Sequence, residues 1–129
     1  MEVFCTYCSF AKNKTKEKIP AIQRYCSSRI SRVYAAALCI GLDFFILSGK
    51  FGLVNACQPI PYYDHLLKSE EVSSLAQKVT NQIEGLGIQK IIYVTKPLTY
   101  DEKIIPYYDT IKLATKKVRI TLYIVEFKE

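Results

Sequence analysis

Neither of the two common phosphate fingerprints occurs in this 129-residue sequence: it has no Gly-x-x-x-x-Gly-Lys-Ser/Thr loop and no Gly-x-Gly-x-x-Gly turn. A P-loop hydrolase and an ordinary dinucleotide-binding domain are thereby excluded, and no cofactor is expected. Histidine occurs once, at His65, and Cys-x-x-Cys once, at Cys5 and Cys8, so the repeated ligand pairs of a zinc site are missing and no metal is expected. The longest apolar stretch, near 33–47, is interrupted by Gly41 and Asp43 and falls short of the roughly 18–20 residues that span a bilayer. No membrane association follows. The opening Met-Glu-Val-Phe-Cys lacks the basic and apolar regions of a signal peptide, and five cysteines (Cys5, Cys8, Cys26, Cys39, Cys57) are an odd number. They read as reduced thiols of a soluble, cytoplasmic protein. Long polar or low-complexity tracts are absent and half the residues are hydrophobic, which fits one domain over 1–129 with its own core.

What the sequence does have is an uneven positive charge. Lysine and arginine number 18 against 12 acidic residues, a formal +6. Residues 1–32 hold Lys12, Lys14, Lys16, Lys18, Arg24, Arg29 and Arg32 against only Glu2 and Glu17. This end of the chain faces anions, because electrostatic attraction acts through local patches. A smaller cluster, Lys112, Lys116, Lys117 and Arg119, lies near the C-terminus.

Hydrophobic patterning predicts a first strand over 2–7, then a basic loop to about residue 18. From Pro20, Ile22, Cys26, Ile30, Val33 and Ala37 recur at helical spacing, which predicts one helix to Gly41 with Arg24, Arg29 and Arg32 on its outer face. Phe44–Leu47 reads as a strand buried on both faces. A long loop over 48–68 follows. A second helix starts at a Ser69 cap, carries Val72, Leu75, Val79, Ile83 and Leu86, and stops at Gly85 and Gly87. Residues 90–95 predict a third strand, Thr99 and Glu102 suggest a capping box with a helix mainly after Pro106, and 119–126 predict the last strand. Alternating strands and helices imply an α/β fold: a three-layer domain with a mostly parallel sheet of four to five strands and helices on both faces.

In such sheets ligands bind beyond the carboxyl ends of the strands. The residues expected there are Cys8, Ser9 and Lys12, then Ser48, Gly49 and Lys50, then Thr95 and Lys96. They are small, polar and cationic, as an anion site requires. The loop Ser48-Gly49-Lys50-Phe51-Gly52 can wrap an oxyanion in backbone N–H groups, with Lys50 as a point charge; the same glycines also suit a sharp turn. Downstream, Pro61-Tyr62-Tyr63-Asp64-His65 offers two flat tyrosine faces for a base and a carboxylate that can accept its hydrogen bonds or act as a general base. His65 itself reads as a surface residue. Cys5 and Cys8 read as structural cysteines, the alternative being a thiol switch with a depressed pKa.

Cys8-Ser9-x-x-Lys12, Pro20-Ala21, Tyr25, Ile46-Leu47-Ser48-Gly49-Lys50-Phe51-Gly52-Leu53-Val54 and Ile60-x-x-Tyr63-Asp64-x-x-Leu67 together resemble a small uncharacterised bacterial, archaeal and phage family. Its pattern is Cys-Ser-x-x-Lys, then Leu-Ser-Ala-Lys-Tyr-Gly-Leu-Leu, then Pro-Tyr-Asp. The Ser-Gly-x-x-Gly-Leu segment also resembles YaaA-type peroxide-stress proteins, which are associated with DNA binding. More distantly, the segment is similar to a domain of archaeal enzymes that modify 7-deazaguanine in tRNA. The resemblance covers residues 5–67. It departs at Gly49 (alanine in the pattern), Phe51 (tyrosine) and Tyr62 (proline), so no role of a hydroxyl carries over to Phe51.

Two readings follow. In the first, the domain handles a nucleotide or nucleic acid at the strand ends and acts on a nucleobase or its glycosidic bond. Cys8, Ser9, Lys12, Gly49 and Lys50 then hold the anion, Tyr62 or Tyr63 stacks the base, and Asp64 and Ser48 carry the chemistry. In the second, a non-catalytic DNA- or RNA-binding module uses the 12–32 face, with Lys14, Lys16, Arg24, Arg29 and Arg32 on phosphates. Exposed sheet edges leave room for a homodimer.

Overall fold

A computed structural model describes residues 1–128. Strand β1 (Glu2–Tyr7) alternates Val3 and Cys5 with Phe4 and Thr6, apolar or neutral on both sides, and sits at the centre of the sheet. Its parallel neighbours are β3 (Asp43–Ser48) and β6 (Lys90–Thr95), and β7 (Thr121–Glu126) runs parallel to β6 at one edge. At the other edge β4 (Gly52–Asn55) folds back antiparallel on β3. The order is β4-β3-β1-β6-β7. The mostly parallel α/β architecture expected from the sequence is present.

Helix α2 (Ser28–Ile40) connects β1 to β3 and packs on both. Helices α3 (Val72–Leu86) and α4 (Ile105–Val118) lead into β6 and β7 and pack on each other. Right-handed crossovers place α2 on one face and the α3–α4 pair on the other, because the chain moves outward from β1 in opposite directions. Leu75, Val79 and Ile83 of α3 are buried, each burial contributing about 1.5–3 kcal/mol. Gly41 and Gly87 end α2 and α3 in the left-handed conformation, while Gly85 lies inside α3 and stops nothing.

Four expectations are corrected. The continuous helix from Pro20 does not form. Ile19–Pro20 is a short strand, β2, and Ala21–Arg24 a single helical turn, α1; Tyr25 is then extended, with ψ 127°, before Ser27 caps α2 by accepting the Ile30 N–H at 3.2 Å. The loop after β3 is not a long loop but a hairpin into β4, followed by β5 (Pro59–Ile60), which pairs with β2. Ser69 does not cap the second helix. Glu71 occupies the cap position of α3 without a side-chain bond to it; its carboxylate instead accepts the Lys68 N–H at 2.9 Å and closes the 3₁₀ turn Ser69–Glu71 that leads into the helix. Asp101 likewise replaces the Thr99–Glu102 box, accepting the Lys103 N–H.

Gly52 turns the β3–β4 hairpin at φ +73°, and a Cβ there would lie 2.4 Å from Gln82 Oε1. That amide accepts the Leu53 N–H and donates to Phe51 and Leu53 carbonyls, tying the hairpin to α3. Gly52→Ala therefore strains the backbone and displaces the Gln82 amide. Urea unfolding is expected to show about 1–3 kcal/mol of lost stability. A variant as stable as wild type would contradict this.

Candidate functional site

The parallel strands run β3-β1-β6-β7: the chain passes from β1 to β3 on one side and returns past β1 to β6 on the other, which opens a crevice between the carboxyl ends of β1 and β6. A cleft of about 560 Å³ lies there, within the usual range for small-molecule sites. Its floor comes from Tyr7, which ends β1, from Cys8 just after it, and from Lys96, which follows β6. Cys8 stays in register by donating its N–H to the Leu47 carbonyl at 3.0 Å. The first turn of α2, Ser27–Arg29, forms one wall. Its leading N–H groups have no intrahelical acceptor and carry the positive end of the helix dipole.

Arg29 lines this wall while 6% exposed. Its guanidinium lies 3.6 Å from the Tyr7 ring centre and donates to Thr6 Oγ1 and to the Tyr7 and Cys8 carbonyls. Burial lowers its pKa below the ordinary arginine value. Lys12 approaches from the loop after β1. A backbone bridge with Tyr25, and the Asn13 N–H on Arg24 O at 2.7 Å, hold that loop to the segment before α2. The Lys12 ammonium lies 4.8 Å from the Tyr63 ring centre and 5.9 Å from those of Phe10 and Tyr25. It has no carboxylate within 4.0 Å among the described residues and donates only to the Phe10 carbonyl, at 3.4 Å.

The structure brings together Cys8, Ser9, Lys12, Asp64 and Lys96 of the expected site and separates the rest. Gly49, Lys50 and Tyr63 line a second cleft, of about 570 Å³, on the other side of the 61–68 segment; Asp64 and His65 line both. Tyr62 is exposed and lines neither. The Ser48–Gly49–Lys50 loop does not offer its N–H groups to an oxyanion. Ser48, fully buried, accepts the Lys50 and Phe51 N–H groups itself and donates to Tyr63 Oη at 2.9 Å. Tyr63 is buried and shares a 2.6 Å hydroxyl contact with Tyr25, so it is a support beneath Lys12 rather than a stacking platform. Burial raises both phenol pKa values, keeping the network neutral. Gly49 is needed for room, since a Cβ would stand 3.1 Å from Tyr107 Oη and 3.3 Å from Leu67 Cβ.

The basic face is also corrected. Arg24 is fully buried, and Arg29 is turned inward as described; of the expected phosphate-binding set only Lys14, Lys16 and Arg32 are exposed. Lys112, Lys116, Lys117 and Arg119 are exposed but follow α4 away from the cleft end of the sheet. Cys5 is fully buried in β1 and burial pushes its thiol pKa up, the opposite of what a thiol switch needs. Residues that sequence reasoning passed over are Ser27 and Ser28, readable as a helix start after the Tyr25-Cys26 break, and Phe10 and Tyr100, for which no local signal exists.

His65 is partly exposed, as expected of a surface residue, and its Nε2 lies 2.8 Å from Glu71 Oε2. The Lys68 N–H, with His65 adding to it, holds the Glu71 carboxyl below its ordinary 4.5. A carboxyl lowered on folding stabilises the fold fully above about pH 4.5 and loses that contribution as pH falls through the lowered value. The stability difference between wild type and Glu71→Gln is thus expected to shrink from about pH 6 to about pH 3 in urea unfolding. A difference that widened in acid would contradict the assignment.

The chain belongs to a family of unknown function (DUF6884), whose family model matches residues 6–124. No curated protein and no solved structure matches it. No helix of the described residues is long and apolar enough to cross a membrane.

Proposed function

We propose that this family member is a nucleotide-binding domain whose ligand occupies the cleft at the ends of β1 and β6, with its phosphate between Lys12 and the start of α2. The observation that carries the reading is Lys12: a half-buried ammonium held over aromatic faces, without a carboxylate partner, at the mouth of a cleft walled by a helix N-terminus. Such a cation, half-buried but not neutralised, favours an incoming anion. Asp64 is exposed at the same cleft and suits the ring N–H of a base or a ribose hydroxyl. A reaction at the nucleobase or its glycosidic bond would use it as the general base. The resemblance of the Ser48-Gly49-x-x-Gly52-Leu53 segment to YaaA-type proteins, and the more distant one of that loop and the Tyr63-Asp64 pair after it to 7-deazaguanine-modifying enzymes, support a ligand of this class.

The alternative, a DNA- or RNA-binding module on the 12–32 face, retains Lys14, Lys16 and Arg32 but not the two buried arginines. Thermal shift separates the two. AMP and GMP are expected to raise the melting temperature of wild type and to raise it less for Asp64→Asn. Stabilisation by DNA or RNA alone, falling steeply with salt and indifferent to Asp64, would replace this reading with the module. A homodimer would form at the β7 edge, where Tyr123, Ile124 and Val125 are exposed, and sedimentation analysis would detect it.

A further inference from the structure

Phe10 at 83% and Tyr100 at 66% are the two most exposed large apolar side chains among the described residues, and both line the same cleft. Single exposed apolar residues scattered over a surface are ordinary. Two that converge on one cleft are not scattered. They stand on loops that leave neighbouring parallel strands, Phe10 after β1 and Tyr100 after β6. Each ring also carries a lysine from its own loop. The Lys12 ammonium lies 5.9 Å from the Phe10 centroid and the Lys96 ammonium 4.2 Å from that of Tyr100. One loop from each strand therefore presents an aromatic plane with a cation beside it.

Water is a poor solvent for exposed aromatic faces, and apart from the neighbouring ammonium the protein leaves these two rings largely open although Tyr7 and Tyr107 of the same cleft are buried. A flat, electron-delocalised ligand group supplies the missing contact. Stacking on such faces is tolerant of base identity and strengthens with ring area, while the adjacent lysines favour a group that carries negative charge.

We propose that Phe10 and Tyr100 form a pair of aromatic jaws that stack the base of a purine nucleotide whose phosphate lies toward Lys12 and α2. This rests on the nucleotide reading above and adds the base subsite, its residues and its preference. Purine nucleotides bind more tightly than pyrimidine nucleotides, and ribose 5-phosphate binds without help from either ring. The jaws are exposed, so their removal leaves the fold intact.

The test is calorimetric titration of GMP, CMP, ribose 5-phosphate and inorganic phosphate into wild type, Phe10→Ala and Tyr100→Ala. Each alanine variant is expected to bind GMP roughly tenfold more weakly and to bind ribose 5-phosphate as wild type does. Because the chain contains no tryptophan, Phe10→Trp adds a single indole at the site; it is expected to keep GMP affinity and to be quenched as GMP binds. If wild type binds GMP but neither alanine variant is weakened and the indole is silent, the jaws are wrong and the cleft reading stands. If wild type binds neither GMP nor phosphate, the cleft reading fails and the jaws fail with it.

Discussion

Arg24→Ala is expected to lose about 3–5 kcal/mol of folding stability, a large part of the roughly 5–15 kcal/mol that domains of this kind possess. The Arg24 side chain is fully buried, with no carboxylate beside it. Its Nη1 donates to the carbonyls of Asn13 at 2.6 Å and Thr15 at 3.0 Å, and its Nη2 to those of Glu17 at 2.6 Å and Ile60 at 3.0 Å. Four backbone acceptors from the 13–17 loop and β5 thus converge on one guanidinium. Alanine strands all four and leaves a cavity where one of the largest fully buried side chains had been. In a thermal melt followed by far-UV circular dichroism the midpoint should fall by roughly 10–20 °C. Arg32→Ala is the comparison: Arg32 is exposed, with only the Phe127 ring 5.3 Å away, and its loss should change stability by less than about 1 kcal/mol. Equal effects of the two substitutions would show that Arg24 is a surface residue after all.

Lys12→Ala is expected to separate binding from folding. Folding loses only the contacts of one ammonium with the Phe10, Tyr25 and Tyr63 rings and a long bond to the Phe10 carbonyl, about 0.5–1 kcal/mol. Binding of a nucleotide monophosphate loses a charge-assisted hydrogen bond, worth about 1.5–3 kcal/mol, or on the order of ten- to hundredfold in Kd. Lys50→Ala, in the second cleft, should leave nucleotide affinity unchanged. Titration calorimetry with GMP reads both. A Lys50 variant that weakens binding while the Lys12 variant does not would move the site to the other side of the 61–68 segment.

The contrast between the two arginines and Lys12 also explains what the sequence makes legible. The strands at 2–7, 43–48 and 90–95 and the helices from 72 and 105 are written locally, in apolar runs, helical spacing and the stops at Gly41 and Gly87. So is the sheet direction, which places Cys8, Ser9 and Lys12 at a ligand crevice. The inward turn of Arg24 is not written locally. On an unbroken helix it falls opposite Ile22 and Ile30, but the extended Tyr25 resets the phase, and the guanidinium then points at carbonyls that arrive from distant segments. The division of the expected anion site has the same origin: Ser48 looks free in sequence, and only the hairpin into β4 folds Lys50 and Phe51 back onto its hydroxyl. That hairpin had a signal, two glycines three apart between apolar runs. Phe10 and Tyr100, 90 residues apart, become neighbours of one cleft only through the pairing of β1 with β6.

The central claim is the location of the ligand, and amide chemical-shift mapping with GMP tests it most directly. The account predicts that the largest shifts fall on Ser27, Ser28 and Arg29 at the start of α2, on the loop from Cys8 to Lys12, and on Lys96 after β6, with residues of the second cleft such as Ser74 and Lys78 little changed. Shifts confined to the second cleft or to the exposed Lys14–Lys18 loop, with the start of α2 silent, would contradict it.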